Sequence, residues 1–142
     1  MATFAEKEIK DNYTGIKLIR RTVPGIKDLP VECKILLKEC DIVMAFGMPG
    51  REDIDRQCAH EASQGIIMAQ LMEDKHIIEV FVHENEATNE RELFEICKNR
   101  AQKHAHNAVD LVLYPEKLAK RAATGRRQGK DDVGSIPIIT SR

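Results

Sequence analysis

The stretch Asp41 to Leu71, DIVMAFGMPGREDIDRQCAHEASQGIIMAQL, constrains this chain more than any other. Ile42-Val43-Met44-Ala45-Phe46 is apolar at every position. A strand with no polar face must be covered on both sides, which is the situation of a strand inside a parallel sheet. Gly47-Met48-Pro49-Gly50 then supplies a sharp loop, and a long helix starts near Asp53 with Cys58, His60 and Glu61 in its first half. In open α/β sheets, ligands settle in the crevice at the carboxyl ends of the strands. The Gly47 to Gly50 loop is therefore the first candidate for the wall of a site.

The flanking sequence fits an alternation of strands and helices. Residues 2 to 11 read as a helix with Phe4, Ala5 and Ile9 on one face, stopped by Gly15. Gly15 to Val23 alternates enough to predict a strand, ended by Pro24-Gly25. Asp28 suits a helix cap and Pro30 a first helical turn. Leu29, Cys33, Leu36, Leu37 and Cys40 then form one apolar stripe. In the long helix Ile54, Cys58, Ala62, Gly65, Ile66, Ala69 and Met72 share a face, and Ala62 and Gly65 are small enough for close approach. His60 shares a row with Arg56 and Gln64, away from that face. His76 to His83 predicts a third strand. Asn89 with Glu92 makes a capping box for a helix from Glu90 to Ala108, with Leu93, Cys97, Ala101, His104 and Ala108 as its stripe. Leu111 to Leu113 follow, and Pro115 opens a short helix through Ala123. Residues 1–124 thus read as one α/β domain with a parallel sheet and helices on both faces. Residues 125–142 read as an irregular tail holding Gly125, Gly129, Gly134 and Pro137, with Arg126, Arg127 and Lys130 as a basic cluster.

Composition removes several classes of function. A net charge of -1 and 4% aromatic residues give no general argument for nucleic acid. No apolar run is long enough to span a bilayer, and the charged N-terminus is unlike a secretory signal. Four cysteines without a CxxC pair argue against a disulfide framework or structural zinc, and for a reducing cytoplasm.

Each candidate feature also has a plainer reading. The turn Val23 to Asp28 offers backbone N–H groups to hydroxyls or an anion, with Lys27 adding charge and Asp28 an acceptor; from pattern alone the plain capped turn is the favoured reading, since such turns are common. Met48-Pro49-Gly50 can wall a flat ligand or merely shape a tight loop. His60, with Glu61 beside it, and His83 are acid or base candidates. For His60 the plainer reading is a solvated helix face. His83 ends its strand on the same sheet edge as both loops, whereas His76 starts it at the opposite edge. His104 reads as a core histidine, and no ligand spacing marks a metal site.

Longer motifs carry a resemblance. Arg20-Arg21-Thr22-Val23-Pro24-Gly25-Ile26-Lys27-Asp28-Leu29-Pro30, Asp41 to Gly50, Cys58-Ala59-His60-Glu61-Ala62-Ser63, Ala69 to Met72, His76 to Glu84 and the tail Arg127-Gln128-Gly129 resemble archaeal-type riboflavin synthase, a family related to lumazine synthase. The resemblance implies a flavodoxin-like subunit in a homopentamer with active sites between neighbours. It implies a transferase that dismutates two molecules of 6,7-dimethyl-8-ribityllumazine into riboflavin and 5-amino-6-ribitylaminouracil, with magnesium dependence. Pro24, Gly25, Ile26, Lys27 and Asp28 match a ribityl-binding turn, and Gly47, Met48, Pro49 and Gly50 match a loop against the ring. Phe81 and Val82 come from the next strand end. His60 or His83 is expected to move protons at a ring methyl. No metal ligands are assigned.

One departure is large. Members of the family begin with a strand ending in a Phe-Ala-Arg-like segment, whereas Met1-Ala2-Thr3-Phe4-Ala5 matches the start of their first helix. The expectation is a sheet lacking its first strand, and a 142-residue form that is poorly stable or weakly active. A catalytically impaired flavin- or lumazine-binding protein is the alternative. A receiver-like signalling domain is excluded by the lack of an acidic cluster after a first strand.

Overall fold

The computed structural model describes residues 1–128 and 130–135; Gly129, which closes the tail motif, and residues 136–142, with Pro137, lie outside the described residues. Helix α1 (Ala2–Asn12) comes first, and a 3-10 turn at Ile26–Asp28 runs into α2 (Leu29–Leu36). Strand β1 (Val43–Gly47), α3 (Asp53–Glu73) and β2 (Ile77–Phe81) form a βαβ unit, followed by α4 (Glu90–Leu113) and α5 (Pro115–Ala119). Pro30 and Pro115 each sit at the start of a helix, where a missing N–H costs no intrahelical bond. Glu52 and Asp55 close a reciprocal cap on α3, and Asn89 accepts from the Glu92 N–H at 2.9 Å to start α4.

β1 and β2 pair in parallel, from Val43 opposite Ile77 to Gly47 opposite Phe81. Side chains alternate across the pair. Val43 and Ala45 face a core made with Cys33, Leu36 and Leu37 of the α2 segment and Ala59, Ala62, Ile66 and Ala69 of α3. Met44 and Phe46 face the other core, made by Ala5 and Ile9 of α1 and Ala101, Ala105 and Val109 of α4. Helices therefore cover both faces, the α/β arrangement of a flavodoxin-like fold.

The predicted strand over Gly15 to Val23 is not a strand: these residues join no ladder. The reason lies in the free edge of β1. Val43 N–H donates to the His76 carbonyl at 3.3 Å, and the Gly47 carbonyl accepts from Val82 N–H at 3.1 Å. Odd residues of β1 thus point at β2, and the backbone groups of Met44 and Phe46 point the other way, with no ladder partner among the described residues. Without a strand alongside to pair with, an alternating sequence has nothing to form a ladder on. It still packs: Ile16 lies on the α1–α4 core and Ile19 on the α2–α3 core.

The helix stripes need smaller corrections. In α3, Ala62, Ile66 and Ala69 are buried as read, with Ala59, but Ile54 and Met72 are exposed. At about 100° per residue, Ile54 and Met72 lie about 120° round the helix from Ile66, outside the buried arc of Ala59, Ala62, Ile66 and Ala69; α2 itself reaches the end of α3, where Lys34 pairs with Glu73 at 3.5 Å. In α4, Ala105 and Val109 join the core, while His104 is only half-buried. α4 also runs past Ala108, through the segment read as separate, to Leu113. Asp110, fully buried, pins that last part by accepting from Lys117 at 2.8 Å and Arg121 at 3.1 Å. The short helix stops at Ala119 rather than Ala123. The tail folds back on α4, with Lys103 donating to the Arg127 carbonyl at 2.7 Å.

Gly65 sets the distance between α2 and α3. A Cβ there would come within 2.7 Å of Pro30 Cγ and 2.9 Å of Pro30 Cβ. Gly65→Val gains a few tenths of a kcal/mol in helix propensity but overpacks a tight contact at a cost of about 1–3 kcal/mol. The variant is expected to unfold at lower temperature than the parent in a calorimetric scan; an equal or higher Tm would show that the two helices separate freely.

Candidate active site

Two cavities open on either side of one wall. The first, about 330 Å³, is lined by Val23, Pro24, Gly25, Ile26 and Leu29, by Phe46, Gly47, Met48, Pro49 and Gly50, and by Asp55 and Cys58. The turn before α2 and the loop after β1 thus meet, as the sequence suggested. Both are held tightly. Asp28 N–H donates to the Gly25 carbonyl at 3.0 Å. A Cβ on Gly47 would meet the Phe81 ring at 2.8 Å and Ile26 Cδ1 at 3.0 Å, so only glycine lets the turn, β1 and β2 converge there. A side chain at Gly50 would run into the Asp55 carboxylate, which accepts from the Glu52 N–H at 3.1 Å as part of the α3 cap. The wall mixes apolar side chains with polar points in roughly equal measure, the latter being backbone groups, the Asp55 carboxylate and the Cys58 thiol.

Lys27 and Asp28 stand outside this lining, exposed at the turn. Lys27 Nζ donates to Glu61 Oε2 at 2.5 Å, and Gln57 donates to Glu61 Oε1 at 3.1 Å, tying the turn to α3. The bond to Lys27, then that to Gln57, holds the Glu61 carboxyl below its ordinary range, and Glu61 in turn raises the Lys27 amine. Both groups are in solvent, so the pair orients the turn more than it stabilises the fold.

The second cavity, about 520 Å³, is lined by Glu79, Phe81, His83, Glu86, Arg100, His104, Arg126, Arg127 and Gln128. It follows the outer edge of β2. There the Ile77 N–H donates to Gln70 Oε1 at 2.9 Å, and the Phe81 carbonyl accepts from Arg100 Nη1 at 2.6 Å. Arg100 also grips Glu86 with both nitrogens, at 2.8 and 2.5 Å. Glu86 Oε1 accepts from the His83 N–H at 2.9 Å. The Arg100 bond is the main reason the Glu86 carboxyl lies below its ordinary range, against the opposing effect of burial. His104 is pushed down by burial and by the Arg100 charge, which favours its neutral form. His83 Nδ1 is buried and has no hydrogen-bond partner among the described residues. A buried polar atom without a partner is costly.

The sequence-stated candidates therefore divide. Pro24, Gly25, Ile26 and Gly47 to Gly50 share the first cavity; Phe81 and His83 line the second. Val82 is fully enclosed and lines neither. His60 is exposed on α3, 3.2 Å from Gln64 Nε2, and also lines neither. The cavities share the wall where Phe81 packs on Gly47, and the Glu84 N–H donates to the Pro49 carbonyl at 3.0 Å across its top. Sequence reasoning missed Leu29, Phe46 and Asp55 as site walls, and missed Arg100 and Glu86 altogether. Asp55 carried a signal as the third residue of a helix cap; Arg100 carried none, because an arginine in a polar helix reads as solvated. Among the described residues no group of three or more histidine, cysteine or acidic side chains could hold a metal ion. The donor set does not fit a protein-held magnesium.

Comparison with known proteins gives the family. The family model for 6,7-dimethyl-8-ribityllumazine synthase matches residues 1–116. Over 138 residues, 96% of this chain and 90% of the relative, the chain is 54% identical to the riboflavin synthase of Methanothermobacter marburgensis. It is 48% identical to the riboflavin synthase of Archaeoglobus fulgidus over 138 residues, with the same coverage of both chains. It is 42% identical to that of Aeropyrum pernix, covering 96% of this chain and 89% of the relative. The chain belongs to the 6,7-dimethyl-8-ribityllumazine synthase family.

Proposed function

We propose that this chain is a riboflavin synthase, dismutating two molecules of 6,7-dimethyl-8-ribityllumazine to riboflavin and 5-amino-6-ribitylaminouracil. The likeness to archaeal riboflavin synthases along 96% of the chain carries this reading. It favours the enzyme over an impaired flavin-binding protein. The first cavity supplies the physical means. Transfer of a four-carbon unit between two identical flat heterocycles is mainly a matter of stacking them in register, which is positioning catalysis. Pro24, Ile26, Phe46 and Met48 offer apolar surface to a ring, while the turn backbone and Asp55 offer partners to ribityl hydroxyls.

Proton transfer at the ring methyl falls to His83 in this reading, because this histidine lines the cavity at the end of β2. No step is routed through magnesium, for which the donor set does not fit. The ring site and the proton donor lie on opposite sides of one wall, so a single chain holds two halves of a site. A cyclic assembly joins unlike surfaces of identical copies, and a homopentamer that sets the second cavity of one copy against the first of its neighbour would complete the site. Helix α3 offers a surface for such contact. Ile67, Met68, Leu71 and Met72 are all exposed, Leu71 to 74%. His60, Gln64, Ile67 and Leu71 fall within about 60° of one another at 100° per residue, so His60 would face the neighbour too. The four free cysteines suit a cytoplasmic enzyme.

The purified protein incubated with 6,7-dimethyl-8-ribityllumazine alone is expected to produce riboflavin fluorescence and release the aminouracil in equal amounts. Ligand binding without turnover would support the impaired binder instead. Cys58 lines the first cavity, whereas Cys33, its thiol raised by burial to about 11, and Cys97 are buried. Alkylation of Cys58 by iodoacetamide should slow when ribityllumazine is present; an unchanged rate would remove the first cavity as the ring site. Leu71→Asp should yield smaller species by light scattering and lose turnover, since a charge in an apolar interface is not tolerated. Full turnover by a monomeric Leu71→Asp protein would refute the shared site.

A further inference from the structure

We propose that Arg100 and Glu86 are positioning residues that hold His83 in its reactive orientation; this rests on the reading that His83 exchanges protons with the substrate. The bonds form a closed circuit around His83. Arg100 holds the Phe81 carbonyl two residues before it and the Glu86 carboxylate three residues after it, and Glu86 holds the His83 N–H. The Glu86 N–H also donates to the His83 carbonyl at 3.0 Å. Both peptide groups of His83 are therefore fixed, and the residue is held at the cavity wall.

Stability alone does not account for a charged pair here. Arg100 is only 13% exposed and Glu86 23%. Burying such a pair carries a desolvation cost, and an apolar replacement is often neutral or better. The other end of the same strand edge is covered by the neutral amide of Gln70, which satisfies one backbone group at no such cost. What the planar fork of Arg100 adds is geometry: it joins two separated chain segments in one rigid plane. Lysine carries the charge but cannot bridge both carboxylate oxygens and the Phe81 carbonyl in one plane. The charged and titratable groups around His83 are Glu86 from its own turn, Glu79 from β2, Arg100 and His104 from α4, and Arg126 and Arg127 from the tail. Arg100 and Glu86 are the two of these that bond to the backbone next to His83.

The test uses the full-length assembled protein and four variants: Arg100→Lys, Glu86→Gln, His83→Gln and the double Arg100→Lys/His83→Gln. A reacting group displaced by about 1 Å costs on the order of 10²-fold in rate, so Arg100→Lys and Glu86→Gln should lower kcat by roughly that factor with little change in KM. The histidine limb of the pH profile of kcat should move in both. The double variant should be no slower than His83→Gln, because two residues acting through one step are not additive. Arg100→Lys that slows His83→Gln by its full single-variant factor, or that leaves kcat and the pH profile unchanged where His83→Gln loses turnover, overturns the clamp. His83→Gln with parental kcat overturns the underlying reading, and the clamp with it, whatever Arg100 does. NMR relaxation of the His83 ring in the parent protein gives a check free of folding effects: a rigid ring is expected, and free ring motion excludes a held orientation.

Discussion

The parallel pairing of Val43–Gly47 with Ile77–Phe81 is the interaction on which the rest of the structure depends. β1 has no polar face, so the pair must be covered above and below, and the two helical cores follow from that demand. Parallel pairing also brings both strand ends to the same side. The Gly47 to Gly50 loop and the His83 to Glu86 turn therefore emerge next to each other, where the Glu84 N–H reaches the Pro49 carbonyl. Gly47 is the tightest point. Phe81 and Ile26 both press on it, so one residue without a side chain joins the turn, the loop and the second strand into a single wall. A two-stranded sheet contributes few ladder bonds, and the stability of this arrangement rests mainly on the helix contacts, with Gly65 letting α2 close on α3.

The local elements were largely legible. β1, α3 and β2 lie within a residue or two of where periodicity and caps put them, because each signal is carried by neighbouring residues. Pairing is not a neighbouring-residue property. Gly15 to Val23 has the alternation of a strand, and Ile16 and Ile19 do reach separate cores, yet no ladder forms because a strand needs a partner that its own sequence cannot specify. α4 was read as ending at Ala108 for a related reason. Asp110 becomes a buried anchor only when Lys117 and Arg121 fold back on it, which neighbouring residues do not announce. Angular drift along a long helix was also easy to miss: at about 100° per residue, Ile54 and Met72 end up about 120° from Ile66, off the buried arc.

For the candidate site, the sequence motifs led to the loops and not to the supports. Pro24 to Ile26 and Gly47 to Gly50 meet because each lies at an end of an element in the same βαβ neighbourhood. That His83 opens into a different cavity from theirs depends on which edge of β2 is free, a fact of pairing again. Arg100 and Glu86 are 14 residues apart and meet only because α4 packs along β2. No periodicity distinguishes an arginine that caps a strand edge from one in solvent.

The outer edge of β2 ties these points together. An edge strand exposes unpaired N–H and C=O groups that invite a second strand, and proteins commonly blunt such edges with side chains or charges. Here the blunting is uneven. Near its start the strand is met by the neutral amide of Gln70, and near its end by the guanidinium of Arg100. A neutral cap suffices where the edge only needs protection. A charged fork is found where the chain turns toward the cavity, and its second and third bonds run to Glu86, the group that holds His83. Protection of the edge and construction of the cavity wall are thus two consequences of one side chain.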